Sequence, residues 1–277
     1  MYENPLKIRG EYQFFQAFAI LKTIPMAVTT TGIAFLISSI GLAFCGLRFF
    51  EVFQKMGGLR SGSQTGILLS MLFIGFSFQH SILAIGGIFF AQIREALYAT
   101  LTLDHFVLAF VTALSIYLSI YILAPKISPW PVTIAVLVLG IFMTLATIIV
   151  HPLPFVTATN SIDWNMPYWL KLSWYLLLLA GIGAPFLVFA KNFSVAKARN
   201  VKNISLVMMA VHFAGIVNVS IIFGGFLAGI GEIRFKVFDI ILAIIGIVFI
   251  FAFLLAPIVA GWIFRKPQDI ENVEIRQ

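Results

Sequence analysis

Charge is what this chain has least of. Only 10% of its 277 residues are Asp, Glu, Lys or Arg, and seven stretches contain none at all: 23–47, 61–93, 105–125, 127–162, 172–190, 203–231 and 240–264. A helix needs about 20 apolar residues to cross the hydrocarbon core, and each stretch supplies enough. Helices are the spanning form that satisfies its own backbone in lipid without a closed barrel. The expected fold is therefore all-α, a polytopic membrane protein with seven transmembrane helices over residues 25–264. Residues 1–24 form an N-terminal segment, with 10–23 a candidate interfacial helix anchored by Phe14, Phe15 and Phe18. Residues 265–277 form a short tail. A hydrophobic content of 61% and mean hydropathy of +1.03 exclude a soluble bundle, whose helices would be amphipathic rather than apolar all round.

Other absences exclude functions. A single cysteine, Cys45, rules out an internal disulfide. The apolar run at 14–21 is short, lies between Glu11 and Lys22, and has no small-residue cleavage site, so no signal peptide is expected. The last charge-free stretch holds no lysine, which excludes the usual retinal Schiff base. No carboxylate falls inside any stretch, which argues against proton pumping and carboxylate-coupled cation transport. Asp104 and Asp239 are read as lying at helix mouths, where they favour helix N-termini through the dipole. Neither a Ser–His–Asp set nor a carboxylate pair assembles at one depth, so no catalytic residues and no enzymatic activity are expected.

The formal charge of +7 is a matter of topology, and no nucleic-acid partner is expected. With seven crossings, one face collects eleven basic residues against four acidic, and the other seven of each. The positive-inside rule then puts the N-terminus outside and the C-terminus in the cytoplasm. Trp164, Tyr168, Trp169, Trp174 and Tyr175 are expected to form an interfacial belt on the outer side. His151-Pro152-Leu153-Pro154 is expected to end the fourth helix, because two prolines disfavour its continuation.

The halves of the chain echo one another. Gln79-His80-Ser81-Ile82-Leu83 followed by Gly86-Gly87 matches Asn218-Val219-Ser220-Ile221-Ile222 followed by Gly224-Gly225. Asp104 and Asp239 head matching third and seventh helices, and Ile40-Gly41 matches Ile182-Gly183. The pattern suggests a parallel repeat of three helices, a linking helix and three helices. Parallel repeats of this kind place a solute site at the repeat interface near mid-bilayer. Polar side chains in hydrocarbon need partners and are the default place to look for a site. The candidate substrate-binding residues are accordingly Gln79, His80, Ser81, Asn218 and Ser220, although interhelical bonding alone also accounts for such groups. Gly225 and Gly229 have small-xxx-small spacing, which suits packing.

The remaining histidines suggest no cofactor. His105 and His151 are read as lying at the outer surface, and His212 as lying in the inner third of helix 6, off the Asn218 face. A bis-histidine haem needs two rings at one depth, and His80 is placed roughly 15 Å below His105 by helix rise. The cofactor is left unknown, with haem not favoured, and no metal site is expected, since Asp104, His105, His151 and Asp163 lack local ligand spacing. The leading expectation is a carrier or channel for a small neutral or weakly polar solute. The alternatives are a haem- or quinone-binding, or assembly, subunit of a redox complex, and a seven-helix sensor. The lipid bilayer is the expected environment, with a membrane-protein partner or a second copy as further candidate partners.

Overall fold

The computed structural model of the protein describes residues 28–55, 60–197, 199–227 and 233–263. Within them the chain forms seven α-helices: α1 Thr30–Lys55, α2 Arg60–Phe89, α3 Arg94–Leu123, α4 Trp130–Val150, α5 Tyr168–Val195, α6 Arg199–Leu227 and α7 Ile233–Ile263. A short antiparallel ladder, β1 Phe155–Val156 with β2 Ile162–Asp163, lies between α4 and α5. Helices α1 to α6 are long and apolar enough to cross a membrane. Helix α7 carries Arg234, Lys236 and Asp239 in its first two turns before an unbroken apolar run. The N-terminal segment 1–24, the tail 265–277 and Gly229 of the small-xxx-small pair lie outside the described residues.

Helix boundaries follow backbone chemistry more closely than charge. Helix α4 stops at Val150, and His151 takes the left-handed conformation, with φ of 49°, immediately before Pro152. Helices α3 and α7 begin eleven and seven residues ahead of their charge-free stretches. Asp104 is therefore ten residues inside α3, not at its mouth, and the expectation that no carboxylate lies deep in a span is overturned.

The helices adjoin in the order α1, α2, α3, α5, α6, α7 and back to α1, closing a six-membered ring. Helix α4 lies outside it, packed on α3 with a smaller contact to α5. It exposes Val138, Leu139, Phe142, Leu145 and Ile149, side chains suited to lipid.

Small residues and hydroxyls make the closest crossings. Thr29 caps two helices at once: its hydroxyl accepts from the Gly32 amide at 3.0 Å and donates to the Gly87 carbonyl at 2.8 Å. A methyl on Gly32 would come within 2.6 Å of the Gly87 backbone, and one on Gly246 within 2.6 Å of Ile37, so neither crossing admits a side chain. Pro185 sits inside α5, where it has no N–H to offer the carbonyl of Gly181. The Ser115 hydroxyl of α3 donates to that carbonyl at 2.6 Å. A neighbouring helix thereby satisfies the backbone group that proline frees.

Ser115→Ala is expected to destabilise the protein by about 1–3 kcal/mol, the cost of a buried carbonyl left unpaired. Adding Pro185→Ala restores an amide donor, so the double variant is expected to melt above Ser115→Ala. Thermal unfolding in detergent measures both, and simple additivity would contradict the assignment.

Candidate functional site

All six ring helices and the β1–β2 connection border one cavity of about 290 Å³, to which α4 contributes nothing. Its wall is largely apolar, with Phe35, Phe76, Trp164, Tyr175, Phe223 and Phe238 among the lining residues. At one end Leu42, Phe73 and Phe249 line it and also belong to a cluster with Leu69, Leu72, Leu118 and Met208. That cluster is apolar throughout and closes the floor. At the other end Ile162, Asp163, Trp164 and Met166 cover it.

Asp239 fixes this cover. Hydroxyls of Thr30, Thr31 and Ser161 converge on its Oδ2 at 2.8, 2.9 and 2.9 Å, drawing α1, α7 and the hairpin to one point. The Ile162 amide donates to the Thr31 hydroxyl at 2.9 Å, and the Thr30 amide to the Asn160 carbonyl at 2.9 Å. Lys171 faces Asp163 at 3.8 Å beside the same cover.

Three of the five sequence-predicted residues line the cavity: Gln79, His80 and Asn218. The Gln79 amide donates to Asp104 of α3. Asn218 is only 2% exposed, and its Oδ1 has no hydrogen-bond partner among the described residues. The His80 Nδ1 meets no partner of good geometry, and its ring lies 5.2 Å from that of Phe35. The other two residues are placed elsewhere. Ser81 bonds Ser39 at 2.7 Å and the Ser77 carbonyl at 2.9 Å, inside the α1–α2 contact. Ser220 bonds the Ile216 carbonyl at 2.8 Å and the Tyr175 hydroxyl at 3.2 Å.

Several expectations are corrected. His105 is buried rather than at the surface, stacked on Trp174 at 3.9 Å, with Nδ1 3.0 Å from the Thr147 hydroxyl. It is eleven residues inside α3, and His80 is nine from the end of α2, so the two lie at nearly one depth; the 15 Å offset came from starting α3 too late. His212 lines the same cavity as Asn218, with Nδ1 2.7 Å from the Met208 carbonyl. The aromatic belt is divided: Tyr168 and Trp169 are exposed, whereas Trp164, Trp174 and Tyr175 turn into the cavity wall. His151 stays exposed, 3.2 Å from Glu95. Asp104, His105, Asp239 and Trp174 are the site residues that sequence reasoning missed. The available signal was the helical register of 94–104, which continues past its charges.

The chain matches no protein-family model, no curated protein and no solved structure.

Asp239→Ala is expected to cost about 3 kcal/mol or more, since bonds to a charged acceptor contribute about 1.5–3 kcal/mol each. Limited proteolysis should then cut the segment 155–163 in the variant and spare it in the parent. Equal protection would show that Asp239 does not hold the hairpin.

Proposed function

We propose that this multi-pass membrane protein is a carrier for a small solute, with α7 as the seventh crossing and the central cavity as the solute site. One observation carries the proposal: Asn218, only 2% exposed, lines the cavity with an Oδ1 that has no hydrogen-bond partner among the described residues, and His80 lines it from α2. Each lies nine residues from the hairpin-side end of its helix, about 13 Å deep by helix rise. The two helices stand on opposite sides of the ring. Buried polar atoms are normally bonded, and an orphaned amide oxygen bordering a cavity is accounted for by a bound group.

The order of helices in the ring supports a repeat. A half-turn about the bundle axis exchanges α1, α2 and α3 with α5, α6 and α7 and preserves every neighbour, while the linking α4 stays outside. Two like-oriented triplets around a shared site are a recurring transporter plan. The apolar floor and the Asp239-bonded cover suit the two gates of such a carrier. The excess of basic residues on the face away from the hairpin supports a cytoplasmic C-terminus. The largely apolar wall suits a small solute with an apolar body.

A haem- or quinone-binding subunit is the second reading, favoured by His80 and His105 at one depth and by the protein contacts that hold Nδ1 of His105 and His212. A metal-ligating imidazole is held in the same way. A Soret band in the purified protein would select it.

The carrier reading is tested without knowledge of the solute. Cys45→Ser removes the one thiol, and Asn218→Cys then reports access to the cavity. Membrane-impermeant thiol reagents are expected to label this variant from both faces of sealed vesicles. Labelling from one face alone would contradict a carrier.

A further inference from the structure

The hydrogen bonds behind the cavity wall determine which partners a ligand must offer. The Thr147 hydroxyl donates its one proton to the Met143 carbonyl at 3.0 Å. Toward Trp174, whose indole N–H lies 3.3 Å away, it is an acceptor, and its second lone pair faces His105 Nδ1 at 3.0 Å. With that proton donated to the Met143 carbonyl, the His105 proton sits on Nδ1 and Nε2 is left an acceptor. His212 reaches the same state by a shorter route. Its Nδ1 lies 2.7 Å from the Met208 carbonyl, which can only accept. Neither Nε2 has a hydrogen-bond partner among the described residues, and both residues line the cavity.

Asp104 adds a carboxyl to this acceptor set. It is 4% exposed, lines the cavity and receives the Gln79 amide on one oxygen. The ion pairs among the described residues are Arg48–Glu51, His151–Glu95 and Lys171–Asp163, so none reaches it. Lys171 and Arg234 also line the cavity, but they are three and one residues into their helices. Helix rise puts them about 10 Å nearer the hairpin end than Asp104. Lys171 faces Asp163, and the Arg234 guanidinium lies 4.6 Å over the Phe235 ring. Asp239, by contrast, has three hydroxyls on one oxygen. Asp104 is thus a buried carboxyl with a single amide donor and no ion-pair partner among the described residues, a group that is costly to ionise unless positive charge is supplied.

We infer that the ligand is a small organic ammonium with an apolar body, its N–H groups directed to Asp104 and the neighbouring imidazole acceptors and its body held among the aromatic side chains. The inference rests on the central cavity being a ligand site, and it specifies the charge that a carrier for a largely apolar solute would accept. A cation is also attracted to the aromatic faces that line the cavity. A body of about ten non-hydrogen atoms suits a cavity at the small end of the ligand-pocket range.

Three probes of one size separate the possibilities: benzylamine, which is an ammonium at neutral pH, benzyl alcohol and benzoate. Binding to the purified protein is read by thermal shift and by fluorescence of Trp164 and Trp174 at the cavity wall. Benzylamine is expected to bind about 10- to 100-fold more tightly than benzyl alcohol, the worth of one charge-assisted hydrogen bond, and benzoate not to bind. Asp104→Asn is expected to abolish that preference, and Asn218→Leu to weaken benzylamine binding. Should Asp104→Asn fail to fold, the order of the three probes on the parent protein decides. Equal binding of benzyl alcohol, preference for benzoate, or no binding of benzylamine would overturn the inference. Benzylamine binding without counterflow in proteoliposomes would remove the carrier reading and keep the ligand class. Counterflow of a neutral solute by protein that ignores benzylamine would do the reverse.

Discussion

A bilayer offers no water to a polar group, and that constraint organises the whole molecule. Every amide, hydroxyl or charge carried into the hydrocarbon must find a partner within the protein. The apolar side chains that a soluble fold would bury are turned outward instead: Phe78, Phe142, Phe213 and Ile149 are among the most exposed. Inward-facing positions collect the hydroxyls, amides, imidazoles and carboxylates. Serine and threonine mostly bond backbone carbonyls or one another, as Ser115 does to Gly181 and Ser39 to Ser77. These contacts, with glycine crossings that let backbones touch, hold neighbouring helices without a hydrophobic driving force between them.

What packing leaves over is concentrated in one place. The ring excludes α4 and surrounds a space whose floor is apolar and whose cover is tied to Asp239. Asp104 lies ten residues into α3 and Asp239 six into α7, and their surroundings differ. Asp239 is bonded to three hydroxyls and joins elements together. Asp104 has one amide donor and a cavity in front of it. The two carboxyl groups thus differ in how fully the protein itself partners them.

The helix count and the inward faces of Gln79, His80 and Asn218 were legible in the sequence, because hydrophobic length and small-residue seams are local signals. The end of α4 was legible for the same reason, since proline acts on its own neighbours. Charge was a poor guide to where α3 and α7 begin. Arg94, Glu95 and Asp104 are all helical, and a helix several turns longer than the hydrocarbon carries charges within it. That single misjudgement moved Asp104 and His105 from the interior to the surface and separated His105 from His80. Trp174 was misplaced because tryptophan favours interfaces on average, whereas this one is fixed by stacking on His105. Ser81 and Ser220 share a sequence pattern with the cavity residues, but each finds a nearer partner, which sequence spacing does not reveal.

A carrier of the kind proposed must enclose a space accessible to small polar molecules while its outer faces meet lipid. A cavity of this volume, bordered by an unpartnered amide oxygen, is roomy and polar enough to hold water. Deuterium modulation of spin labels measures water contact directly, in a Cys45→Ser background exchanged into D₂O. Labels introduced through His80→Cys and Asn218→Cys should show strong modulation, and those through Phe78→Cys and Phe213→Cys little. Equal modulation at all four positions, or stronger modulation at the two phenylalanine positions, would contradict the account.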